Sequence, residues 1–219
     1  MICKLCKMNQ VEKFCENSVR EFYRCSDCEL VFVPQKYHLS TLEEKARYDL
    51  HDNNADNTGY VSYLNTIVNV ATGVVSRDKK VIDFGSGKNA VLTGLLKKKG
   101  YDCTAYDPLY GHNVNPQKSL YDVLIACEVV EHLRDLRDEL FMIRELVKDR
   151  SEIIIRTQLY PRPEGFLKWW YIQDLTHINF FSLKSMDVAC QILKCQLQQT
   201  DEKDIFILKV NKALFSCID

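Results

Sequence analysis

The 219-residue sequence lacks a charge excess of either sign: 29 basic side chains stand against 30 acidic ones, for a net charge of -1. That balance argues against a chain whose main work is gripping nucleic acid or an anionic membrane by charge, though a local basic patch stays possible. The Met-Ile-Cys-Lys start has no apolar h-region, so no secretory signal peptide is expected. Long apolar runs are missing as well. The longest uncharged stretch, Asn57 to Ser76, carries Asn65, Thr66, Asn69 and Thr72 and is too polar to span a bilayer. No internal repeat and no low-complexity segment interrupts the chain. A cytoplasmic protein with no membrane partner is the expectation. What is present is a composition 46% hydrophobic and 27% charged, enough for a real core.

Cysteine is plentiful and unevenly placed, with five of the ten in the first 28 residues. Cys3-Lys-Leu-Cys6 and Cys25-Ser-Asp-Cys28 are two Cys-x2-Cys turns separated by 18 residues. That spacing fits a tetrahedral thiolate zinc site with Cys3, Cys6, Cys25 and Cys28 as ligands. The chain between them is expected to run out and back as a hairpin, Val11 to Phe14 and Glu21 to Arg24, with a strand over Leu30 to Val33. So small a module needs a metal to fold, and four thiolates leave no open position, so the zinc is expected to be structural. Cys15 falls outside the pattern. Cys103, Cys127, Cys190, Cys195 and Cys217 are single and read as small apolar core residues.

Residues 1–36 therefore form an expected zinc ribbon. Residues 37–76 form a helical connector: a helix over Leu42 to Leu50 capped by Ser40 or Thr41, and a second with Val61, Leu64, Ile67, Val68, Ala71 and Val75 at helical spacing. Residues 77–219 alternate strands and helices. Lys80 to Phe84, Tyr101 to Asp107, Asp122 to Cys127, Glu152 to Arg156 and Asp204 to Val210 read as strands. Helices are expected after Ala90, over Val130 to Val147, and over Ser182 to Lys194. The pattern is that of an α/β, doubly wound sheet, which binds ligands beyond the carboxyl ends of its strands.

Gly85-x-Gly87-x-x-Ala90 formally matches a dinucleotide fingerprint, and Asp107 lies twenty residues after Gly87. Asp83 decides against that ligand. A carboxylate two residues before the first glycine is unfavourable beside a pyrophosphate but suits a ligand bearing an ammonium and a sulfonium. Asp83 would take the amino group, directly or through water, and Asp107 the two ribose hydroxyls. The glycines let the backbone approach the ligand.

These residues resemble the class I S-adenosylmethionine (SAM)-dependent methyltransferases. Val81-Ile-Asp-Phe-Gly-Ser-Gly87 is similar to their first motif, and Tyr106-Asp-Pro108 to the acidic second. Tyr121-Asp-Val-Leu-Ile-Ala-Cys-Glu-Val-Val-Glu-His-Leu133 is similar to the fourth-strand motif, where a Glu-His pair begins a helix. The four-cysteine head, with Tyr37 to His51 and Gly59-Tyr60, looks like a bacterial branch that carries an N-terminal zinc ribbon. The third glycine of the first motif is replaced by Asn89, which tolerates unusual backbone angles.

The resemblance implies a Rossmann-like sheet with SAM held by His51, Tyr60, Asp83, Gly85, Ser86, Gly87, Asp107, Pro108, Cys127, Glu128 and His132. Glu131 reads as an acid at a helix N-terminus. The aromatic-Asp-x-Thr-His segment around Asp174 to His177 is placed near the acceptor pocket. Trp169, Trp170 and Phe180 are candidate walls. His177 is the candidate catalytic base, against a structural role in which it bonds Asp174. The expected reaction is SN2 methyl transfer to a small molecule. A ribbon-docked RNA methyltransferase, a non-catalytic SAM-binding adaptor and a nicotinamide dehydrogenase are the alternatives.

Overall fold

A computed structural model describes residues 1–112, 120–198 and 202–215; Cys217 lies outside them. The first module holds β1 (Val11–Glu16), β2 (Glu21–Cys25) and β3 (Val31–Phe32). Two connector helices follow, α1 (Thr41–Tyr48) and α2 (Thr58–Val74). Ser40 and Glu43 form a reciprocal capping box on α1, and the Asn57 side chain accepts from the Tyr60 N–H on α2. The rest comprises β4 (Lys80–Phe84), α3 (Val91–Lys98), β5 (Asp102–Tyr106), β6 (Tyr121–Cys127), α4 (Leu136–Leu146), β7 (Val147–Arg156), α5 (Pro163–Phe166), β8 (Asn179–Phe180), α6 (Leu183–Ile192), β9 (Cys195–Gln198) and β10 (Ile205–Val210).

Six strands form one sheet in the order β5-β4-β6-β7-β10-β9. β5, β4, β6 and β7 are mutually parallel, whereas β10 runs antiparallel to both β7 and β9. The sheet is buried on both faces, as a parallel sheet between helix layers must be. Val123 and Ile125 of β6 pack with Leu64, Ile67 and Val68 of α2 and Leu92 and Leu96 of α3. Leu124 and Ala126 of the same strand face Leu140 and Ile143 of α4 and Met186 and Ala189 of α6. This is the expected doubly wound architecture. The strand order reverses between β4 and β6, and sheets of this kind bind ligands beyond the carboxyl ends of the strands at such a switch point.

Several boundaries differ from expectation. The helix anticipated from Val130 begins only at Leu136. The carbonyls that would have built its first turn point elsewhere: Glu131 O accepts from Ile178 N and Asn179 N, and Leu133 O accepts from the Asn179 amide at 2.7 Å. A tertiary contact thus outcompetes the local helix. Val147, expected on that helix, opens β7 instead, which is twice as long as the strand anticipated. β9 was not anticipated, because only Cys195 of its four residues is buried and no apolar alternation marks it.

The ribbon is joined to the larger sheet's domain by backbone pairing. β1, β2 and β3 continue into β8, so the four-stranded sheet ends on a strand from the far end of the chain. Beneath it, Phe22, Val31, Val33, Phe166, Tyr171 and Phe180 form one aromatic-rich core.

Candidate functional site

The glycine turn follows β4. Gly85 and Gly87 have φ of 76° and 68°, the left-handed region that favours glycine. A Cβ on Gly85 would meet the Val129 side chain at 2.5 Å, whereas one on Gly87 would meet none of the described residues within 4 Å. The unusual backbone expected at Asn89 occurs one residue later, at Ala90, with φ 44°. Asn89 instead donates from its amide to Asn53 O (3.0 Å) and Asn54 Oδ1 (2.6 Å), tying the connector to the turn. Lys88 pairs with Asp49 on the same side.

Both acids expected in the crevice are there. Asp107 Oδ2 accepts from Gly87 N at 2.9 Å and Oδ1 from Leu109 N at 3.0 Å. Asp83 is buried, and its Oδ2 accepts from Thr93 N and Thr93 Oγ1. Its Oδ1 has no hydrogen-bond partner among the described residues. Burial pushes the Asp83 carboxyl up to about 6, partly offset by Thr93. Ser86 Oγ, between the two glycines, is buried without a partner among the described residues. An orphaned hydroxyl, open space over Gly87 and two acids suit a polar, cationic ligand at this turn. Tyr60 stands over it, and burial with the nearby Cys127 and Asp83 raises its phenol. Pro108 begins the turn after β5, and Cys127 ends β6. His51 Nε2 lies 3.7 Å from Asp174 Oδ2, and His51 is close enough to His132 to act on its charge.

Past β6 lies a second cluster. Glu128 has φ 53°, an unusual backbone angle for a non-glycine residue. Its carboxylate accepts from Tyr63 OH at 2.7 Å, and its other oxygen is 2.9 Å from Tyr171 OH. The same phenol is 2.6 Å from Glu131 Oε1. One phenolic proton cannot serve both acids, and burial together with Glu128 pushes the Glu131 carboxyl well up. Glu131 is therefore no exposed helix-end acid; it is 0% exposed, in a turn. His132 Nδ1 lies 3.0 Å from Thr176 O, and His177 Nδ1 lies 2.8 Å from Tyr171 O. The two rings are 4.7 Å apart. Burial, with His132 beside it, lowers His177 to about 3, so it is neutral and a weak base. Burial lowers His132 too. Asp174 bonds not the His177 ring but Arg47 (2.8 Å) and the Thr176 hydroxyl (2.7 Å).

The three candidate wall residues do not line one cavity. Phe180 has no exposed surface and belongs to the core under the ribbon. Trp169 stacks on Tyr171 at 4.8 Å and leans on Phe166. Trp170 is 66% exposed.

At the ribbon, Cys3 Sγ and Cys28 Sγ are 3.5 Å apart, as are Cys6 Sγ and Cys25 Sγ, and all four sulfurs lie within 4.8 Å of one another. A tetrahedral ion at about 2.3 Å from each sulfur would set them about 3.8 Å apart, so the four residues fit zinc. Each pair ends in the same turn: Lys7 N donates to Cys3 O and Glu29 N to Cys25 O, with Lys7 and Glu29 both at φ 63°.

Sequence reasoning missed Arg20. It is buried and donates to the carbonyls of Ile172, Asp174, Leu175 and His177 at 2.8 to 3.1 Å. One ribbon side chain thereby clamps the whole segment that presents His177. Tyr63 was missed also; a single tyrosine and a single arginine carry no spacing signal.

A family profile described as a methyltransferase domain matches residues 61–199, more than half of the chain. No match exists among curated proteins. Solved structures share the fold at low identity. A 1,6-didemethyltoxoflavin-N1-methyltransferase from Burkholderia thailandensis is similar with TM-score 0.53 and 12% identity, over 85% of this chain and 97% of that one. The N-methyltransferase NodS from Bradyrhizobium japonicum has TM-score 0.51 and 10% identity, over 77% and 96%. An O-methyltransferase family protein from Burkholderia thailandensis has TM-score 0.51 and 12% identity, over 77% of this chain and 63% of that one. With the family match, the parallel-rich sheet and its two-acid crevice in agreement, the chain belongs to the class I SAM-dependent methyltransferases.

Proposed function

We propose that the protein transfers a methyl group from SAM to a small-molecule acceptor by SN2 displacement. The observation that carries this reading is the glycine turn between Asp83 and Asp107, with its unpartnered Ser86 hydroxyl. Bound SAM supplies a methyl group on a positively charged sulfur.

The chain's residues bind and orient. Asp107 would hold the two ribose hydroxyls. Asp83, with Oδ2 on Thr93, would hold the ammonium. Gly85, Ser86, Gly87 and Tyr60 close on the methionine end, and Pro108, Cys127 and Glu128 flank the base. His132 forms the floor. His51 goes with the acceptor side, because it sits by Asp174. So low a basicity makes His177 a positioning group and not the proton acceptor; alignment and exclusion of water carry the rate. The balanced charge favours a small acceptor over RNA. The ribbon thiolates hold a zinc ion whose four positions they fill, so it acts structurally.

Calorimetric titration with S-adenosylhomocysteine and with NAD tests this reading. The wild type should bind the nucleoside, and Asp107→Ala should bind it at least about tenfold more weakly, an effect of about 1.4 kcal/mol or more. NAD binding without S-adenosylhomocysteine binding would refute it.

A further inference from the structure

The Glu131–His132–His177 cluster has donors that hydrogen bonding alone leaves unused. One ligand atom from each residue lies within 4.8 Å of the others, and His132 Nε2 is 3.9 Å from Glu131 Oε1. Both histidines spend Nδ1 on a backbone carbonyl, Thr176 O and Tyr171 O. A carbonyl only accepts, so the proton of each neutral ring sits on Nδ1 and Nε2 carries the lone pair. Metal-ligating histidines are oriented in this way.

The acids point to the same conclusion. Glu131 is fully buried, and its Oε2 has no hydrogen-bond partner among the described residues. Glu128 meets it across the Tyr171 hydroxyl. Among the described residues neither acid has a lysine or arginine partner. A carboxylate oxygen buried without a partner is costly, and a ligand that accepts its lone pair removes the cost. Tyr63 and Tyr171 supply the hydrogen bonds from outside that hold metal-binding carboxylates in place.

We propose that Glu131, His132 and His177, with Glu128 beside them, bind a divalent transition-metal ion at the end of β6. Two imidazoles and carboxylate oxygen suit manganese, iron, cobalt or zinc better than calcium or magnesium. The ion sits about 2.0–2.2 Å from each donor, and the donors close on it by about 1 Å. This site is separate from the four-thiolate ribbon, and its existence does not depend on the methyl-transfer reading.

Manganese is the probe, because it prefers nitrogen and oxygen donors and leaves the thiolate zinc in place. The full chain, loaded with zinc at the ribbon, is titrated with Mn2+ while electron paramagnetic resonance reads the free aquo ion. The expected result is one Mn2+ bound per chain, with 14N couplings from imidazole in the pulsed spectrum. Glu131→Gln, close in size and shape, should weaken Mn2+ binding at least about tenfold, and His132→Gln should remove one nitrogen coupling. No Mn2+ binding, binding without nitrogen coupling, or binding unchanged in Glu131→Gln would overturn the proposal. S-adenosylhomocysteine titrated into the same samples keeps the two readings apart: its binding without Mn2+ binding defeats the metal site alone, and the converse defeats the methyl-transfer reading alone.

Discussion

On the proposed reading, Asp83 sets how cofactor affinity depends on pH. Its folded-state pKa of about 6 lies above the ordinary carboxylate value of 3.8, so the folded protein holds an extra proton between those two values. Stability from this group is therefore greatest in acid and falls as pH rises through that window. Ligand binding runs the other way, because an ammonium is held by the ionised acid. SAM should bind about tenfold more weakly at pH 5 than at pH 7, the ratio of ionised Asp83 at the two values. The Asp83→Asn variant should bind weakly with little pH dependence. Titration calorimetry across that range reads both, and equal affinity at pH 5 and 7 for the wild type would remove Asp83 from the site. Ala90 gives a second single-residue prediction. A left-handed alanine is strained by about 1 kcal/mol, so Ala90→Gly should raise the free energy of unfolding by about that much in urea, and a loss of stability would contradict the strain.

Among the elements, the segment between the 3-10 turn at Trp170–Gln173 and β8 owes its shape to the ribbon. Arg20→Met keeps much of the apolar stem but leaves four carbonyls without their donor. Charge-assisted bonds in so dry a place make the loss about 3 kcal/mol, a fall in melting temperature of roughly 5–10 °C. Amide exchange should speed up at 172–179 before it does in β4 or β6. Uniform acceleration across the chain would show that Arg20 has no special hold on that segment.

The elements also show what the sequence makes legible. The strand Lys80 to Phe84 and the glycine turn fall where the sequence places them, with Asp107 bonded to the turn, because strand burial and glycine φ are local properties. The late start of α4 is not local: the carbonyls of Glu131 and Leu133 are taken by β8, some 45 residues away. The same holds for Arg20, whose four acceptors lie more than 150 residues ahead of it. His177 was legible as a residue of interest, but its weak basicity comes from burial, which spacing does not encode.

At the scale of the molecule, the proposed zinc and SAM sites lie in two regions that share the 172–179 segment but not the glycine turn. Chelating the metal should unfold the ribbon, since structural zinc supplies roughly 10–16 kcal/mol in small modules. It should loosen 172–179 through Arg20 and the β3–β8 pairing, and leave S-adenosylhomocysteine affinity within about threefold, because β4 and β5 pair with no ribbon strand. Hydrogen exchange and calorimetry on chelator-treated protein check the two parts; a complete loss of nucleoside binding would mean that the two regions fold as one unit. No helix among the described residues is long and apolar enough to cross a membrane. The most direct test of the account is a crystal structure with S-adenosylhomocysteine. The account predicts ribose hydroxyls on Asp107, the ammonium on Asp83 Oδ1, and the sulfur directed toward Glu128, His132 and His177. An empty crevice, or a nucleoside bound away from both acids, would contradict it.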